Sequence, residues 1–165
     1  MTRDLGEHYQ LVLPYDRPPA ALWANQASGK GAHWGGRSKD SRQVRSDIVF
    51  LGRQARLPKA SFLTVRLTWA PGDKRKRDED NMWPFLKACC DGLARGKRKD
   101  WVGLELVPDD TPQYMRKLAP RILAPDQTPL VGMWLDVWAV RIETIREAMR
   151  LPYAPGYDDA PEDVS

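Results

Sequence analysis

Ser61-Phe62-Leu63-Thr64-Val65-Arg66-Leu67-Thr68-Trp69-Ala70 alternates without a break: Leu63, Val65, Leu67 and Trp69 fall on one side, Phe62, Thr64, Arg66 and Thr68 on the other. A period of two, rich in β-branched and aromatic residues, predicts a strand with one face in a core. Pro71-Gly72 ends it in a turn. A helix is expected on each side of this strand. Upstream, over 39–56, Val44, Ile48, Val49, Leu51 and Ala55 recur near a 3.6 period, with Arg42, Arg45 and Arg53 elsewhere on the wheel. Asp40 or Ser41 would cap its start and Pro58 closes it. Downstream, over about 83–95, Phe85, Leu86, Cys89, Cys90 and Leu93 supply a buried face. Asn81 would be the N-cap, Pro84 fits the first turn, and Lys87 and Asp91 pair i, i+4 on the outer face.

Further out, 8–13 reads as a short strand and 113–123 as a strand broken by Pro120. Residues 130–140 read as a last strand, with Met133, Leu135, Val137 and Ala139 alternating against Trp134, Asp136 and Trp138, and a short helix follows over 141–150. The order β-α-β-α-β-β predicts an α/β (α+β) domain: a small mixed sheet with two main helices packed on it. One domain is expected over 1–152. The tail 153–165 carries Asp158, Asp159, Glu162 and Asp163 and is expected to be disordered.

With 165 residues, 42% of them hydrophobic, the chain can bury a real core. The net charge of +4 understates the basic surface, because the acids gather in the tail. The only two cysteines, Cys89 and Cys90, are adjacent, which suits neither a structural disulfide nor a zinc site; they are expected to be reduced core residues. The first residues are polar, without a signal-peptide core, and no apolar run approaches the ~20 residues of a membrane span. A soluble, cytoplasmic protein is expected, with no membrane partner. Trp69, Trp134 and Trp138 are read as structural.

Chemistry concentrates just after the first strand described. In Arg77-Asp78-Glu79-Asp80-Asn81, carboxylates at i and i+2 would lie on one side of an extended segment. Two such groups can share one hard cation, and Mg²⁺ takes carboxylate oxygens, waters and substrate phosphates. The preceding Lys74-Arg75-Lys76-Arg77 would draw in a polyanion, as would Lys97-Arg98-Lys99. A second acidic pair, Asp109-Asp110, lies in a loop. Acids to hold metal beside bases to hold phosphate suggest metal-dependent phosphodiester cleavage. Each piece alone has an ordinary reading: a solvated acidic turn, a soluble charge run, a surface helix pair.

Together, Asp78-Glu79-Asp80-Asn81, Leu86-Lys87-Ala88, Asp91-Gly92-Leu93 and Val107-Pro108-Asp109-Asp110 resemble the RusA-type Holliday-junction resolvases, notably their versions in phages of actinobacteria. The resemblance spans about residues 8–140 and is loosest near Asn25 and the basic aromatic loop that follows. It implies a homodimeric, Mg²⁺-dependent endonuclease, with Mn²⁺ able to substitute, that resolves four-way DNA junctions by paired nicks in a bacterial cytoplasm. It further implies Asp78, Asp80 and Asp110 as metal-binding acids, Lys87 at the scissile phosphate, and Asp91 and Asp109 as additional acids. The DNA contacts would come from the two basic runs, Asn25, and His33 with Trp34, which could stack on a splayed base. Two other functions stay open: a basic junction-binding protein without cleavage, and an interaction protein that docks through its acidic tail.

Overall fold

The computed structural model describes residues 6–24, 34–96 and 101–142. Five strands form one mixed sheet: β1 (Glu7–Leu13), β2 (Ala60–Ala70), β3 (Met115–Lys117), β4 (Arg121–Ile122) and β5 (Gly132–Arg141). Two helices, α1 (Trp34–Gln54) and α2 (Trp83–Leu93), accompany it. The sheet order is β1-β5-β2-β3, with β4 also on β2. β5 runs antiparallel to both β1 and β2, whereas β3 and β4 run parallel to β2. The expected mixed α+β domain is therefore present. β3 and β4 are the two halves of the strand expected to break at Pro120, since proline cannot donate to the ladder.

The alternation in β2 and β5 places Leu63, Val65, Leu67, Met133, Leu135, Val137 and Ala139 in the core. Val44 and Ile48 of α1 and Phe85, Leu86, Cys89, Cys90 and Leu93 of α2 join them. Both thiols are free and fully buried, and burial pushes the Cys90 thiol up to about 12. Thr64 and Thr68, on the other side of β2, are buried too: they stand opposite Trp138 and Trp134 of β5, and Thr68 Oγ1 accepts from Arg121 Nε at 3.0 Å. Of the tryptophans read as structural, Trp69 and Trp134 are buried, and Trp138 stacks on His8 with centroids 4.9 Å apart. No described helix is long and apolar enough to cross a membrane.

Two helix boundaries differ from expectation. α1 begins at Trp34, not near 39, so Asp40 and Ser41 lie inside it and cap nothing. Gly35 and Gly36, which look like helix breakers, form part of its first turn in open space. Its far end closes with Arg56 at φ 54, Arg56 N–H donating to Arg53 O and Leu57 N–H to Gly52 O. That is a Schellman closure with arginine where glycine is usual. Asn81 is likewise not the N-cap of α2: Met82 holds that position, without a side-chain cap. A 3-10 turn, Glu79–Met82, runs straight into the helix and buries Asn81. The expected helix at 141–150 and the tail lie outside the described residues.

α1 and α2 touch closely at Gly92. A Cβ there would stand 2.9 Å from Ile48 Cβ and 3.1 Å from Arg45 O. Gly92→Ala is therefore expected to destabilise the protein by about 1 kcal/mol, as overpacking outweighs the gain in helix propensity. Gly36→Ala, with nothing within 4 Å, is expected to stabilise by roughly 0.5 kcal/mol. Urea unfolding of the two variants should show midpoint shifts of opposite sign.

Candidate active site

After β2 ends at Ala70, the chain turns at Pro71-Gly72 and carries the basic run to the acids. Asp78 is extended (φ −93, ψ 120), but the residues after it enter the 3-10 turn. The expectation that Asp78 and Asp80 lie on one side of an extended segment is thus corrected. Asp78 Oδ1 accepts the Asp80 N–H at 3.0 Å, and this side-chain cap folds the backbone away from the strand path. Asp78, Glu79 and Asp80 are all exposed. Glu79 has a structural contact instead: its Oε1 accepts the Ile122 N–H at 2.8 Å, fastening the turn to β4. Asn81 anchors the other side, its carbonyl accepting the Ala24 N–H at 3.1 Å.

The acids share a groove with Lys74, Arg75, Lys76 and Arg77. Lys74, Arg75 and Lys76 are exposed. Arg77 is not a free phosphate contact. Its guanidinium makes two bonds to Asp73, at 2.6 and 2.8 Å, and lies 4.8 Å from the Trp69 ring centroid. The Arg77 bond, with a backbone N–H from Arg75, holds the Asp73 carboxyl well below the usual carboxylate range. Asp73 was not singled out from the sequence, although its i, i+4 spacing from Arg77 was the available signal.

A second cluster centres on Asp110, whose side chain is 7% exposed. Its Oδ2 accepts from Lys87 Nζ and from Lys117 Nζ, both at 2.7 Å, while Lys87 also bonds Asp91 at 2.5 Å. The i, i+4 pair expected on α2 is therefore the outer half of a four-residue network. Burial alone would raise the Asp110 carboxyl, but the ammoniums of Lys117 and Lys87 more than reverse this and hold it well below its ordinary value. Burial dominates at Asp91 and holds its carboxyl above the usual value against the pull of Lys87. Burial depresses Lys87, yet the two carboxylates prevail and raise it. Asp109 has a local contact, its Oδ1 accepting the Asp110 N–H at 2.8 Å. Lys117 carried no sequence signal; β3 delivers it from seven residues downstream.

The two groups lie along the same edge of β2. Lys117 faces Val65, and Ile122, which holds Glu79, faces Trp69. Four residues of strand separate those levels, about 13 Å. α2 spans the gap, following directly from the acidic turn and carrying Lys87 to Asp110. Among the described residues, no three His, Cys, Asp or Glu gather closely enough to hold one metal ion. Asn25, His33, Lys97, Arg98 and Lys99 lie outside the described residues. Trp34 opens α1.

The donors nevertheless suit Mg²⁺. Asp78 and Asp80 offer exposed hard oxygens, and the neighbouring cations could carry a phosphate. Mg²⁺ commonly takes one or two carboxylates and completes its shell with water and phosphate oxygens. No family model matches this sequence, and no curated protein matches it.

Proposed function

We propose that this protein is a Mg²⁺-dependent endonuclease that cuts branched DNA, four-way junctions in particular, as a homodimer in a bacterial cytoplasm. The observation that carries the reading is the placement of exposed Asp78 and Asp80 in one groove with exposed Lys74, Arg75 and Lys76. Bound to the acid pair, Mg²⁺ or Mn²⁺ would polarise the scissile phosphate and supply a more acidic water. The three exposed cations bind the flanking phosphates without reading sequence. Lys87, half-exposed and fully charged, presents its ammonium to the phosphate as negative charge develops. Asp91 and Asp110 hold that ammonium in position before DNA arrives. A third-ligand role for Asp110 requires both Lys87 and Lys117 to release its Oδ2 and the Asp110 loop to move toward the acidic turn. Two copies related by a two-fold axis would match the symmetry of a four-way junction and place a cut on each of two strands.

Purified protein mixed with a labelled synthetic four-way junction should give paired nicks with Mg²⁺ and none with EDTA. Intact junction in every divalent metal, together with a mobility shift, would instead establish a binding protein without cleavage. The double lysine engagement of Asp110 is the observation favouring that second reading. In either case the basic run sets the electrostatics. Replacing Lys74, Arg75 and Lys76 together by Ala is expected to reduce the slope of log affinity against log salt by about 3. An unchanged slope in a salt titration would remove these residues from the DNA interface.

A further inference from the structure

Beside the acidic groove lies a second one, of about 700 Å³, lined by Tyr15, Arg17, Pro19, Trp23, Trp69 and Arg77 among others. Its walls are fixed. The buried Trp69 indole donates to Asp16 O at 2.9 Å, and Trp23 meets its ring edge-on, with centroids 5.8 Å apart at 80°. Tyr15 packs edge-on against Phe85, and its hydroxyl donates to Asp47 at 2.5 Å. Arg77 is clamped by Asp73 over Trp69. The lining therefore combines π surfaces with the exposed Arg17 and with the guanidinium plane of Arg77, whose charge Asp73 balances from outside the lining. Arg77 borders both grooves, and the Ala24 N–H bond to Asn81 O joins the Trp23 segment to the acidic turn.

We propose that this groove takes one unstacked nucleobase of the bound DNA, seated against Trp23 with Arg17 at its open side. Aromatic rings and guanidinium planes accept any base face, and the positive charge suits the attached phosphate. A branch point supplies bases with weakened stacking, so extruding one costs less there than inside a duplex. A proline-rich peptide would also pack on aromatic walls, but it carries no phosphate for Arg17 to meet. The inference rests on the proposed action on DNA and adds a contact that would position the strand at Asp78 and Asp80.

The test uses the full chain and a four-way junction carrying 5-iododeoxyuridine at positions around the branch point. Irradiation in Ca²⁺, followed by peptide mapping, should place adducts on Trp23 or Tyr15. Trp23→Ala is expected to weaken junction binding about tenfold, with Trp23→Phe restoring most of it. Trp23 packs against the core, so exposed Arg17→Ala serves as the variant least able to disturb folding; about threefold weakening is expected. Adducts confined to other regions, with Arg17→Ala and Trp23→Ala both binding as wild type, would overturn the groove assignment. If nicking persists in that case, only the groove assignment fails. If the protein neither binds nor cuts the junction, the endonuclease reading fails with it.

Discussion

Asp80→Asn should lower Mg²⁺-dependent nicking of a four-way junction by at least about a hundredfold, the scale on which removing one preorganised electrostatic group acts. The variant separates chemistry from folding unusually well. The 3-10 turn uses the backbone N–H of Asp80 and the side chain of Asp78, not the Asp80 carboxylate. Asn occupies the same volume at an exposed position, so stability should stay within about 0.5 kcal/mol of wild type. What changes is one negative oxygen donor in the groove. Junction affinity measured without metal should hold or rise slightly, since a repulsive charge has gone. Nicking within tenfold of wild type, at equal Mg²⁺, would remove Asp80 from the reaction.

Asp110→Asn should act on both rate and stability. It replaces a carboxylate that holds two lysines with a neutral amide, leaving Lys117 without its described ion pair and Lys87 with Asp91 alone. A stability loss of about 1–3 kcal/mol is expected, below that of a fully buried pair because Lys87 is half-exposed. Loss of Lys87 positioning should also reduce nicking at least tenfold. The pH dependence has a definite sign. The Asp110 carboxyl titrates below its unfolded value of about 3.9, so its contribution is complete above roughly pH 4 and fades as pH falls further. Lys87 is raised, so its contribution is complete below about pH 10.4 and fades as pH rises above that. Asp91 runs the other way: its raised carboxyl favours the folded protein at low pH and loses that contribution as pH rises through its folded value. The gap between wild type and Asp110→Asn in urea titrations should therefore be flat through neutral pH and close in acid. A gap that persists unchanged at pH 2 would show that the effect is packing, not charge.

The sequence patterns that exposed the fold were those enforced by burial. The alternation of β2 and β5 and the stripes of α1 and α2 are repeated along the chain, so packing of Leu63, Val65, Ile48 or Phe85 is legible from spacing alone. Single-residue backbone choices were not. Arg56 takes a left-handed cap that normally advertises itself as glycine, and Gly35-Gly36 sit helically where they suggest a break. The acidic and basic residues of the site were equally visible as types, but not as partners. Nothing near Asp110 announces that Lys117 will arrive from β3, because that contact exists only after β3 has aligned with β2. The aromatic groove is hidden for the same reason: Trp23 and Trp69 are 46 positions apart and meet only in the folded chain.

The interrupted edge beside the acids also bears on how copies of this protein can meet. β3 has three residues and β4 two, with Pro120 between them and Arg116, Lys117 and Arg121 along their length. Such a border offers no continuous row of backbone donors and acceptors on which a foreign strand could be laid. It resists fibril-like stacking where an open strand would invite it. β1, with seven unbroken residues from Glu7 to Leu13, is the only long terminal strand among the described residues. Any assembly that lengthens this sheet must grow from there, away from the acids, leaving their groove open to a bulky polymer.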